Sequence, residues 1–183
     1  MKSIIILLAF VAAASSQSFN FFRSFRQPSQ FQSQQTDTRG RVPIDDRFDG
    51  SEYHFSWRHD GNQKYTGQQA AAYCRRLGGG WQPISIETNA ENSFVTRIIE
   101  SNRLVSIGTG ATWSGSRWSW PSGRSFRGIG WSHTGGFRRP QPDNRDPRGE
   151  NCLAILNNIF RDGIKWHDIA CYNTKSVICE KRA

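Results

Sequence analysis

Four cysteines, Cys74, Cys152, Cys171 and Cys179, constrain this chain more than any other feature. Their meaning depends on the compartment: outside the cell an even set reads as disulfides, inside it reads as thiol or metal chemistry. The amino terminus chooses between the two. Met1-Lys2-Ser3 leads straight into the apolar run from Ile4 to Ala14, which gives way to Ser15-Ser16 and Gln17. That pattern is a signal peptide over residues 1–16. The run is too short for a membrane span, which needs roughly 20 apolar residues. No second run follows, so the chain is expected to be secreted and extracellular, with no transmembrane segment. The cysteines then form two disulfides in one of three pairings, and spacing alone leaves all three open. No Cys-x-x-Cys pair occurs, which argues against a zinc ribbon or thioredoxin-like site.

Residues 17–50 are rich in Gln, Ser, Phe and Arg and nearly lack aliphatic side chains. Such a segment buries too little to offset its ordering entropy, so a disordered segment is expected there. Residues 51–183 have the size of one domain. Glu52 to Trp57 alternates like an opening strand. Thr66-Gly67-Gln68-Gln69 and Thr88-Asn89-Ala90-Glu91 are capping boxes, each followed by apolar residues at helical spacing. The first helix places Cys74 on its buried face, and the second carries Phe94, Val95, Ile98 and Ile99 as one stripe. Candidate strands follow at 104–107, 118–120, 152–156, 164–171 and 176–179. Between Gly128 and Asn151 lies a long segment without helical or strand period, and a loop of that length inside a compact domain is usually functional.

The net charge of +9 sits mainly in residues 51–183, where eighteen Lys and Arg face eleven Asp and Glu. Export argues against nucleic acid and leaves glycans, acidic polysaccharide or matrix protein as partners. Enzyme readings fail on arrangement. His167 and Asp168 are neighbours on one strand and point to opposite faces, and none of His54, His59, His133 and His167 has zinc spacing. No nucleophile elbow or phosphate loop is present.

Four motifs then stand in a recognisable order: Trp118-Ser119-Trp120-Pro121-Ser122-Gly123, Gln141-Pro142-Asp143-Asn144, Glu150-Asn151-Cys152, and Trp166-His167-Asp168 leading through Cys171 to Cys179-Glu180. With the helices and cysteines before and between them, they resemble the C-type lectin-like domain family across residues 51–183. More narrowly, Gly128 to His133 and Ile164 to Asp168 resemble a secreted arthropod subgroup, some of whose members are linked to cuticle and epidermal matrix. The resemblance implies an α+β fold of two helices packed on antiparallel sheets, with a long ligand-binding loop. It also implies the pairings Cys74–Cys179 and Cys152–Cys171.

In sugar-binding members of the family calcium bridges protein and sugar, with loop oxygens on one side and two sugar hydroxyls on the other. Carried over by motif, the metal ligands are Gln141, Asp143, Glu150 and Asp168, with Pro142 in the cis form. The Gln-Pro-Asp order resembles galactose-type members. His167 departs from the pattern, since it stands where sugar-binding members have Asn, and an imidazole offers only nitrogen to a hard cation. His167 and Arg145 join the four ligands as candidate ligand-binding residues. A blander reading pairs Asp143 and Glu150 with Arg138, Arg139, Arg145 or Arg148, for little stability. Trp118, Trp120, Trp131 and Trp166 are expected in the core rather than as sugar platforms. The alternative function is a calcium-independent matrix or cuticle adhesion protein that binds protein or acidic polysaccharide through its basic loop.

Overall fold

The computed structural model describes residues 40–182. The expected signal peptide at residues 1–16 and most of the Gln/Ser/Phe/Arg-rich segment lie outside them. In chain order the elements are β1 (Asp46–Phe48), β2 (Ser51–Phe55), α1 (Ser56–His59), α2 (Gly67–Arg76), β3 (Gln82–Pro83) and α3 (Asn89–Ser101). They continue with β4 (Ser106–Trp113), β5 (Trp118–Ser119), β6 (Cys152–Asn157), β7 (Ile164–Ile169) and β8 (Ser176–Arg182).

Both longer helices begin where the capping boxes place them. Thr66 accepts from the Gln69 amide while Gln69 reaches back to the Thr66 amide, and Thr88 and Glu91 do the same for α3. The stripe Phe94, Val95, Ile98, Ile99 is buried against Tyr53, Ile107 and Ile155 in the main core. Each such side chain contributes about 1.5–3 kcal/mol relative to exposure. A second cluster forms where α2 crosses β8, with Ala70, Cys74, Trp81, Val177 and Cys179 buried together.

The strands run in the order β1-β2-β8-β4-β6-β7, with β3 beside β8 and β5 beside β4. The sheet is mixed rather than antiparallel throughout, because β4 and β8 pair in parallel at Ile107–Ser176 and Gly108–Val177. The strand read at Glu52 to Trp57 is β2 and ends at Phe55, and residues 56–59 form a short third helix instead. The folded part also starts before residue 51. Asp46 to Phe48 pair with β2, Val42 and Ile44 pack on the second cluster, and the Asp45 carboxylate accepts the Phe55 amide at 2.6 Å. Residues 42–48 are therefore a strap on the domain rather than part of a linker. Their few apolar side chains find a ready-made surface, so they need no core of their own.

Both disulfides have the pairing the family resemblance implies. Cys74–Cys179 ties α2 to β8, and Cys152–Cys171 ties the start of β6 to the residues just after β7. Trp120, Trp166 and Trp81 are buried, and Trp118 and Trp131 pack half-buried around Phe126.

The long loop is seated on β7, the edge of the sheet. Gly130 O accepts the Trp166 amide, Ser132 N donates to Trp166 O, and the Trp166 indole donates to Asn92 Oδ1 at 2.9 Å. A methyl group at Gly130 would lie 2.3 Å from Nε1 of this indole. Gly130→Ala is expected to destabilise the fold by about 1–3 kcal/mol through overpacking. Urea unfolding of the two proteins checks this, and an unchanged midpoint would mean that the loop is not held by this contact.

Candidate functional site

Five residues singled out by motif come together with the loop arginine Arg145 at the end of β7. Gln141, Asp143, Arg145, Glu150, His167 and Asp168 line one cavity of about 220 Å³, with Phe137 and Phe160 among its walls. A larger cavity of about 680 Å³ lies between α2, β3 and the Trp120-Pro121 turn, and neither carboxylate nor histidine lines it. The carboxylates close enough to hold an ion line the smaller one.

The loop geometry follows from backbone pairing. Gln141 N donates to Ser132 O, the Gln141–Pro142 peptide is cis, and the amides of Asp143 and Asn144 donate to the two Asp168 oxygens at 3.1 and 2.7 Å. Arg145 N donates to Glu150 Oε2, and Glu150 N donates to Asn144 Oδ1. The chain thus curls around Asp168 and brings Asp143 and Glu150 to it. One oxygen from each of the three carboxylates lies within 4.8 Å of the others. Gly135 makes room for Gln141, whose side-chain amide occupies the place a methyl there would take.

The electrostatics are unfavourable without a counter-ion. Burial raises the Glu150 carboxyl above its ordinary range, and Asp168 and Asp143 push it further the same way. Burial likewise raises Asp168, although its two backbone donors oppose the shift, and Asp143 adds to it. Asp143 Oδ2 is buried without a hydrogen-bond partner. Among the described residues no arginine forms a salt bridge with Asp143 or Glu150, so the blander pairing with loop arginines does not hold in this structure. An orphaned carboxylate oxygen inside a set of three anions fits a hard divalent cation, which takes six to eight oxygens.

His167 does not join this set. Its Nε2 lies 3.0 Å from Asp162 Oδ2, both side chains are buried, and burial lowers the imidazole pKa, which favours the neutral ring. Ser132 Oγ donates to the same Asp162 oxygen. The trio is no catalytic triad, because the carboxylate stands between serine and histidine and Ser132 is fully buried. Asp162 and Asn144 were not among the residues expected to matter. Asp162 lies five residues before its histidine in an irregular turn, where spacing carries no signal, whereas Asn144 was visible in the Gln-Pro-Asp-Asn motif.

Asp45, His54 and His59 also lie close enough to hold an ion. His54 Nδ1 is 2.9 Å from Pro43 O and its Nε2 is 2.8 Å from the Tyr73 hydroxyl, so both ring nitrogens are already used. This cluster fastens the strap to the sheet.

Residues 63–181 match the Lectin C-type domain family. The chain therefore belongs to the C-type lectin domain family, whose fold is a non-enzymatic, carbohydrate-binding one. It is 30% identical over 125 residues to bovine pulmonary surfactant-associated protein D, which covers 68% of this chain and 30% of that protein. Bovine collectin-43 is 31% identical over 114 residues, covering 61% of this chain and 32% of the relative. The chain thus spans about a third of the length of these two relatives. Among solved structures, the human scavenger receptor C-type lectin carbohydrate-recognition domain superposes with a TM-score of 0.58 at 24% identity, covering 75% of this chain and 95% of that one. The C-type lectin domain of murine dendritic cell inhibitory receptor 2, solved with an N-glycan, gives 0.58 at 20% identity, with the same coverage. At these identities the structures speak for the fold. No described helix is long and apolar enough to cross a membrane.

Proposed function

We propose that this is a secreted carbohydrate-recognition protein that binds extracellular glycan with the help of a calcium ion held by Gln141, Asp143, Glu150 and Asp168. The observation that carries this reading is the group of three carboxylates with a buried, unpartnered oxygen on Asp143. When bound, calcium supplies two positive charges and coordination positions that sugar hydroxyls can fill. The chain's own part is to hold the oxygens in place: Asp168 orients Asp143 and Asn144 through their amides, and Glu150 and Asn144 close the turn behind them. The Gln141-Pro142-Asp143 order supports a galactose-type preference, and the N-glycan bound by a protein of the same fold supports a glycan partner. With His167 turned to Asp162 the site has one oxygen fewer than the family pattern. Its calcium affinity is therefore expected in the weak range of extracellular modules, about 10⁻⁴–10⁻³ M.

Titrating calcium calorimetrically into the chelator-stripped protein tests this, with an Asp143→Ala/Asp168→Ala double variant as the blank. Saturable heat in the wild type alone is the expected result. No binding at millimolar calcium would overturn the calcium-assisted reading. The domain would then be a basic adhesion module, released from its partner by salt and indifferent to chelator.

A further inference from the structure

Three aromatic side chains are left conspicuously in solvent among the described residues: Phe137 at 63% exposure, Tyr172 at 42% and Phe160 at 41%. Scattered exposed apolar residues are ordinary, but grouped ones mark interaction surfaces. Two of them, Phe137 and Phe160, line the carboxylate cavity, and Tyr172 stands outside its lining. Two of the three carry a guanidinium. The Arg145 side chain lies 4.4 Å from the Phe137 ring centroid, and that of Arg148 lies 3.6 Å from the Tyr172 centroid.

A guanidinium laid flat on a ring is held in orientation while its in-plane N–H edge remains free to bond two oxygens at once. The two pairs differ in what balances them. Among the described residues no carboxylate comes within salt-bridge distance of Arg145, whereas Arg148 meets the Asp146 carboxylate at 3.8 Å, which also accepts from the Arg148 amide and the Tyr172 hydroxyl, so that pair already holds its own anion. Arg138 and Arg139 are exposed on the same loop and add to the positive field. The cavity therefore has an acidic end, made by Asp143, Glu150 and Asp168, and a basic aromatic rim. One neutral sugar would use only the first.

We propose that the Phe137–Arg145 pair forms an anion subsite on the rim of the carboxylate cavity, so that the preferred ligand is a sugar bearing a sulfate or carboxylate group. The inference rests on the cavity being the sugar site. The sugar's hydroxyls face the acidic end, and its anionic substituent accepts paired hydrogen bonds from the rim. The two zones of opposite sign fix the direction in which such a ligand lies.

Binding of galactose, galactose 6-sulfate and galacturonate to the full chain is measured at physiological salt, with calcium and again with chelator. The same series is run on Arg145→Gln, with its folding checked by circular dichroism. The acidic sugars are expected to bind roughly tenfold more tightly than galactose, the size of one charge-assisted hydrogen bond. In the variant the ratio is expected to fall to near one. Equal binding of all three sugars by the wild type overturns the subsite while leaving the glycan site standing. So does a preference that survives in the variant, which would be diffuse attraction to a basic surface. A preference that persists in chelator supports the subsite and removes calcium from the proposed function. Binding of none of the sugars removes both readings.

Discussion

Replacing Cys74 and Cys179 together with alanine is expected to cost about 4.7 kcal/mol of stability, the chain-entropy value for a loop of about 100 residues. The bond closes a span of 105 residues and both cysteines are completely buried in the second cluster, so their loss also removes packing between α2 and β8. Guanidinium unfolding under oxidising conditions measures the cost. A fall in melting temperature of roughly 10–20 °C accompanies it for a domain of this size. The Cys152–Cys171 bond spans 19 residues and is expected to contribute about 3 kcal/mol on the same argument. Equal losses from the two double variants would mean that the bonds act through native packing rather than through the unfolded chain.

Arg182→Ala is the second large effect, at about 3 kcal/mol, the lower end for breaking a buried ion pair because the guanidinium is 29% exposed. Arg182 is close to Glu87, Glu91 and Glu180, which are themselves 7%, 7% and 0% exposed at the side chain. Burial alone would lower the Arg182 pKa, but Glu180, Glu87 and Glu91 together overcome that and hold it above its ordinary value. Glu180 is raised, first by its burial, while the Ser51 hydroxyl and the Ser85 amide bond its charged form. Arg182 is one of the influences that lower Glu180, so removing the cation raises this buried carboxyl further above its ordinary value. The sign follows from linkage. A carboxyl whose folded pKa is raised loses folded-state stability as pH climbs from its unfolded to its folded value. The deficit of the variant should therefore be larger at pH 7 than at pH 4. A deficit independent of pH would mean that Arg182 acts only by packing its aliphatic stem.

Much of this domain was legible in residue pattern. The two capping boxes announce α2 and α3 because each uses a side chain to satisfy backbone groups that a helix start leaves open. The site was legible too as a set: Gln141, Asp143, Glu150 and Asp168 were identified through motif resemblance, and the structure brings them to one cavity. What pattern could not supply is pairing at a distance. Nothing in Ser106–Trp113 says that its neighbour is β8 or that the two run parallel. The strand expected at 104–107 runs instead from Ser106 to Trp113. Gly110 is there because Pro121 and the Pro83 carbonyl approach too closely for a side chain. The strap at residues 42–48 was hidden for the opposite reason, since three paired residues with two charges carry no period of their own. His167 shows the limit of residue substitution as an argument. Its chemistry excluded it as an oxygen donor, but only its contact with Asp162 shows what it does instead.

The place of β8 in the sheet governs how the molecule comes into being. Its residues 176–182 lie between β2 and β4 and bond to both. The last strand of the domain is thus the one that joins its first strands to the rest. Until it emerges, β2 has no partner on that side, Cys74 has no Cys179 to meet, and the helices have only part of their core. Long-range pairing of this kind delays folding until distant segments meet. The domain therefore completes its fold only once β8 is in place, and the Cys74–Cys179 bond closes with it. A chain cut short by even one strand would remain an open, thiol-bearing intermediate.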